Sequence, residues 1–217
     1  MLLSHKHNFL FIHIAKTGGT SVRSALAKYR WGHLYSFAAF LARKLSGFTG
    51  HKIGSKFPRH CKAIAAKEML PGEYYSQLYK FCVVRNPFDL QVSSYHHIEK
   101  EHPQIFKRYN ITNFAEFLAV RLDSEREFEE LLHAPLQSDY VVDLHGNIIV
   151  DKICRFENLQ ADFDEACDAI GIARVALPHK RKAKARKTYH EYYSEKEIAL
   201  VEKHYAKDLE ILGYQFD

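Results

Sequence analysis

Two stretches of the chain are apolar without alternation: residues 8–14 (NFLFIHI) and 79–84 (YKFCVV). Short unbroken runs of this kind suit strands buried on both faces of a parallel sheet. Each run breaks into a loop and then takes up a helical period. After the first comes AKTGGTS, then a helical stretch over 21–29 with Val22, Ala25, Leu26 and Tyr29 on one face. After the second comes Arg85-Asn86-Pro87, then a helical pattern through Val92, Tyr95 and Ile98. Strand, loop, helix thus occurs twice. Further helices are predicted over 34–45, 61–70 (stopped by Pro71-Gly72), 113–122, 124–133, 162–170 (stopped by Gly171) and 195–212 (ending at Gly213). Ser124 with Glu127, and Ser194 with Glu197, have the spacing of capping boxes. Residues 140–143 and 148–154, joined by Leu144-His145-Gly146-Asn147, read as a hairpin. There are no repeats and no evident linker, so the pattern predicts one α/β domain over 1–217.

Composition agrees with that picture and narrows it. A chain of 217 residues with 47% hydrophobic and 13% aromatic residues can bury a core and is not disordered as a whole. The formal net charge is +5, from 31 Lys+Arg against 26 Asp+Glu. The excess is local. Residues 179–187 read HKRKAKARK and hold six of the bases with no acid; without those six, 25 bases face 26 acids, a net charge of −1. A near-neutral body with one basic segment argues against a general nucleic-acid binder and for a local anion site. The four cysteines, Cys61, Cys82, Cys154 and Cys167, lack CxxC spacing. They read as free thiols rather than zinc ligands or disulfides. The first residues lack the features of a signal peptide, and no run reaches the ~18–20 apolar residues of a membrane span. These features predict a soluble, cytoplasmic protein with no metal.

The loop after the first strand carries the sharpest chemistry. Lys16, Thr17, Gly18, Gly19, Thr20 and Ser21 open a helix directly after a buried strand. Free N–H groups at a helix start make an anion site, and glycines let a ligand approach the backbone. Lys16 adds charge, and Thr17, Thr20 and Ser21 add hydroxyls. The plain alternative is a glycine turn with a Ser/Thr cap. A nucleotide-triphosphatase loop, GxxxxGK[ST], is absent because the lysine here precedes the glycines. In the second unit, Arg85 at a strand end and Ser93 eight residues on can converge on one phosphate, at the sheet edge where open α/β folds bind ligands.

On these residues the chain resembles a known family. FIHIAKTGGTS is similar to the 5′-phosphosulfate loop of carbohydrate sulfotransferases that use 3′-phosphoadenosine 5′-phosphosulfate (PAPS), enzymes related to the Golgi heparan and chondroitin sulfotransferases. FCVVRNPFDLQVSSY resembles their 3′-phosphate motif. His60 in PRHCKAIAAKEML, the stretch Arg155 to Leu159 and the closing helix add supporting likeness over nearly the whole chain. Ala15 stands where the family has proline, and Leu90 where it has arginine. The Golgi members' membrane anchor is missing, so the chain resembles a compact, soluble version such as a bacterium would carry.

The resemblance implies a P-loop-like sulfotransferase fold, a central mostly parallel sheet flanked by helices. It implies sulfuryl transfer from PAPS, leaving 3′-phosphoadenosine 5′-phosphate (PAP), to a hydroxyl of a glycan or related acceptor, without a metal. Lys16 would meet the leaving oxygen, the backbone of Thr17, Gly18, Gly19 and Thr20 with Ser21 would hold the 5′-phosphate, and Arg85 and Ser93 the 3′-phosphate. Lys184 and Arg186 of the basic segment would add charge there. His60 is the favoured base, with His13, His96, His97 and Glu68 as alternatives. Two other functions are open at this point: a nucleotide kinase or NTPase of related architecture, and a non-catalytic polyanion-binding module using the basic segment 179–187.

Overall fold

The computed structural model describes residues 1–30, 57–123, 132–177 and 187–217. The predicted helices over 34–45 and almost all of 124–133, with the Ser124–Glu127 box, lie outside them. So does the basic segment apart from Lys187. The chain groups into two compact units, Met1–Val84 with Tyr140–Arg181, and Arg85–Asp139 with Lys182–Asp217.

The first unit is a four-stranded, mostly parallel sheet with helices. Strands β1 (Leu2–Ser4), β2 (Phe9–Ile12), β3 (Tyr79–Val84) and β4 (Lys152–Arg155) lie in the order β1-β2-β3-β4. The β1 strand, unforeseen in the sequence pattern, is antiparallel to β2; β2, β3 and β4 are parallel. Phe9, Phe11, Phe81 and Val83 point to one face, where they pack with Val22 and Leu26 of α1 (Gly19–Leu26). Phe163, Ala166 and Cys167 of the Leu159–Ala169 helix join the same cluster. The alternate residues Leu10, Ile12, Cys82 and Val84 are buried as well. Burial on both sides is why these strands read as unbroken apolar runs. All four cysteines are free, as their spacing predicted.

The predicted 140–154 hairpin forms around its turn but is cut short, since residues 152–155 pair elsewhere. Only one antiparallel bridge forms, Val142 with Ile148, around a turn in which Asp143 Oδ1 accepts from the N–H groups of His145 and Asn147, each at 3.0 Å. The chain then leaves for the sheet. Asp151 accepts the Lys80 N–H (2.6 Å) and pairs with its ammonium (3.0 Å), while its own N–H donates to the Lys80 carbonyl (2.7 Å). Those bonds start β4 on β3, in parallel. Two prolines also begin helices that the sequence pattern did not foresee: α2 (Ala63–Met69) is followed, after Pro71, by α3 (Gly72–Gln77), and α5 (Pro103–Arg108) follows α4 (Pro87–Glu101). Proline lacks only an N–H that a first helical turn leaves unbonded.

The second unit is helical. Its core joins α4 and α6 (Phe114–Arg121) to the long Glu195–Leu212 helix through Phe88, Val92, Phe117, Leu118, Val201 and Tyr205. Numbering in chain order makes Leu159–Ala169 α7 and Glu195–Leu212 α8. The Tyr95 ring meets Phe106, Phe114 and Phe117 at 5.5, 5.5 and 5.4 Å. Within this core, Arg121 Nε donates to Gln91 Oε1 (2.9 Å), and Gln91 Nε2 donates to the Tyr205 hydroxyl (2.8 Å). The Ser194–Glu197 capping box forms, and Gly213 ends α8 in the left-handed region at φ 63. Among the described residues no helix is long and apolar enough to cross a membrane.

Candidate active site

The loop between β2 and α1 turns by two left-handed residues, Lys16 (φ 65) and Gly18 (φ 81). Glycine takes this conformation freely; a lysine there costs about 1–2 kcal/mol, so surrounding contacts must hold it. One is the Thr17 hydroxyl, which is buried and donates to the Ile14 carbonyl at 3.0 Å. That hydroxyl therefore closes the loop, its proton directed inward to the chain. Phe156 and Leu159 pack beneath: a Cβ on Gly18 would lie 3.0 and 2.9 Å from their side chains. The Arg155-to-Leu159 stretch thus supports the loop from below.

Helix α1 starts without a side-chain cap, since its N-cap is Gly18. The leading N–H groups of a helix have no partner within it and carry the positive end of its dipole. Gly19 is required by a second approach. A Cβ there would sit 2.4 Å from His13 Cδ2 and 2.7 Å from Nε2. Gly19→Ala is accordingly expected to push the His13 ring out of place and to destabilise the protein by about 1–3 kcal/mol. Urea unfolding measures it, and a change below ~0.5 kcal/mol would show that the ring yields freely.

His13 joins the loop to the residues after Pro58. It is buried, and burial, reinforced by the nearby His60 and Arg59, pushes its pKa down to about 3. It stays neutral at physiological pH. Its Nδ1 accepts from Arg59 Nε (3.4 Å), so the neutral ring carries its proton on Nε2. Its backbone carbonyl lies 3.0 Å from His60 Nδ1. A carbonyl only accepts, so Nδ1 of His60 bears the proton and Nε2 holds the lone pair. The two rings are 4.8 Å apart. Desolvation lowers the His60 pKa below the usual histidine value, and the Arg59 charge adds to that, against a raising effect of the His13 carbonyl. His60 is exposed and neutral, with a basic nitrogen. Arg59 also reaches Thr20 Oγ1 through Nη2 (3.3 Å). Sequence reasoning passed over Arg59; its one signal was a cationic neighbour of His60.

In the second unit, Arg85 follows the last residue of β3 and is buried. Its guanidinium is held by Asp89, one turn into α4, with Nε and Nη2 at 2.6 and 2.5 Å from Oδ2. Asn86 caps α4 by accepting the Phe88 N–H (3.0 Å), and Pro87 takes the first turn. Ser93 is half-buried on this helix. Among the alternative bases, His13 is sequestered. His96 lies 2.8 Å from the Tyr192 hydroxyl and 3.4 Å from Glu99, His97 packs its ring near His102, and Glu68 is exposed on α2. Of the predicted site residues, Lys16, Thr17, Gly18, Gly19, Thr20, Ser21 and His60 lie in the first unit, and Arg85 and Ser93 lie in the second, at the end of β3 and on α4. Lys184 and Arg186 lie outside the described residues.

Comparison with known proteins gives one match: a family model described as "Sulfotransferase family" covers residues 1–215. No curated protein and no solved structure matches the chain.

Proposed function

The chain belongs to the sulfotransferase family, and from that premise we propose that it moves the sulfuryl group of PAPS to a hydroxyl of a carbohydrate or related acceptor by in-line displacement. Membership makes it a transferase of sulfuryl groups in general; the donor, the acceptor class, the P-loop-like character of the fold and a single catalytic domain over 1–217 are our reading. The observation that carries it is the pairing around His13. One residue holds the uncapped start of α1 against its ring and fixes the basic nitrogen of His60 with its carbonyl.

The donor set fits a doubly phosphorylated nucleotide. The leading N–H groups of α1, with Ser21, would bind the 5′-phosphate, and Arg85 with Ser93 the 3′-phosphate, aided by Lys184 and Arg186. When bound, PAPS supplies an activated S–O bond. His60 Nε2 accepts the proton of the acceptor hydroxyl as its oxygen bonds to sulfur. Lys16 stabilises the negative charge that grows on the bridging oxygen as the old S–O bond breaks, and PAP leaves with that electron pair.

A thermal-shift series tests this reading. Adenosine 3′,5′-bisphosphate at about 100 times its Kd is expected to raise Tm by about 5–10 °C, and Arg85→Ala to abolish most of the shift. No shift with the bisphosphate, or a larger one with ATP–Mg²⁺, would overturn the proposal in favour of a phosphoryl-transfer enzyme. Salt-sensitive binding of generic polyanions in its place would favour a binding module.

A further inference from the structure

The backbone of Arg85 is held by a side chain far away in sequence. Gln137, itself buried, uses its amide twice: Oε1 accepts the Arg85 N–H (2.9 Å) and Nε2 donates to the Arg85 carbonyl (2.8 Å). Both backbone groups of one residue are thus satisfied by one amide, as a neighbouring strand would do. The pairing of β3 with β4 ends one residue earlier, at Val84. Gln137 is fixed in turn by Asp208 of α8. That carboxylate is fully buried and accepts the N–H groups of Gln137 (Oδ2, 2.8 Å) and Ser138 (Oδ1, 2.8 Å). From the other side, Asp89 grips the guanidinium. Arg85 is therefore constrained at both ends: Gln137 sets where its Cα sits, and Asp89 sets where its charged fork points.

We infer that Gln137 and Asp208 are positioning residues for the recognition of a nucleotide 3′-phosphate by Arg85. The inference rests on the reading of Arg85 as the 3′-phosphate residue. Its physical basis is directional. A guanidinium binds phosphate through paired N–H groups, and such contacts weaken when the fork moves by about 1 Å. Gln137 touches the backbone of Arg85, so it governs the origin of the fork rather than its charge. Alternative anchorage is poor, because a buried backbone N–H and C=O that lose their partner cannot turn to water.

The test is a ratio: the affinity for adenosine 3′,5′-bisphosphate over that for adenosine 5′-monophosphate, measured by calorimetry on the full chain. A general loss of stability lowers both affinities and leaves the ratio unchanged. Gln137→Met keeps the length of the side chain and removes both bonds. It is expected to lower the ratio by about tenfold, the size of one lost charge-assisted contact, with the monophosphate affinity within twofold. Asp208→Asn keeps one acceptor and is expected to lower the ratio by a smaller factor in the same direction. An unchanged ratio in Gln137→Met, while Arg85→Ala loses it, overturns the inference alone. An unchanged ratio in Arg85→Ala overturns the reading of Arg85 and the inference with it. If Gln137→Met does not fold, Asp208→Asn decides: a ratio within experimental error of the parent's overturns the inference.

Discussion

Replacement of His60 by alanine is expected to lower kcat by about 10²–10⁴-fold, the usual contribution of a positioned proton acceptor, and to leave the affinity for adenosine 3′,5′-bisphosphate within twofold. The two effects separate because His60 acts on the acceptor's proton and not on the nucleotide. The direction of its pKa adds a second reading from the same experiment. Partial desolvation by its neighbours and the Arg59 charge, outweighing the opposing His13 carbonyl, hold the folded-state value below 6.5. The base is active when neutral, so the neutral form persists through pH 6.5 and is lost only below it. The acid limb of kcat/KM should therefore have its midpoint below pH 6.5, and it should vanish from the residual activity of His60→Ala. Near-normal turnover in that variant, or an acid limb centred above 6.5 in the parent, would remove His60 from the mechanism.

Lys16→Ala is expected to lower kcat by about 10²–10³-fold, comparable to the removal of one donor from an oxyanion site. The effect on product affinity should be smaller. The charge on the bridging oxygen develops fully only as the S–O bond breaks, so the lysine is worth more in the transition state than in the ground state. The substitution does not ask more of the backbone, since alanine at φ 65 meets the same left-handed conformation that lysine already occupies. Steady-state kinetics with labelled donor measures both quantities. Turnover above a third of the parent's would exclude Lys16 from charge stabilisation.

The Lys16 prediction begins from the loop after β2, and that loop was legible in the sequence because its signals are local. An unbroken apolar run, two glycines and a lysine before them specify a buried strand, a tight turn and a helix start without help from distant residues. The same holds for the Asn86-Pro87 start of α4, the Ser194 capping box and the Gly213 stop of α8. The strand at 152–155 was misassigned to a hairpin for the opposite reason. Turn residues 143–147 are strong local signals and do form their turn, but the partner of the strand is decided by Asp151 meeting Lys80, a contact across 71 positions. Pro71 reads in the sequence only as a helix stop, yet it also precedes the first residue of α3, because proline suits a helix start as well as a helix end.

The sequence by itself determined the class of fold, the position of the glycine loop after β2 and the family, since each depends on residue types at short spacing. Only the tertiary structure decided which atoms do what. The Thr17 hydroxyl is turned inward to Ile14, the His13 ring lies where a side chain on Gly19 would go, and the tautomer of His60 follows from a carbonyl 47 positions away. Gln137 and Asp208 acquire a role only because the fold returns them to Arg85. Hydrogen bonds act over about 3 Å, whereas sequence patterns report periodicity and composition. Neither of these contains the long-range contacts that orient a side chain, and the geometry of the site consists of such contacts.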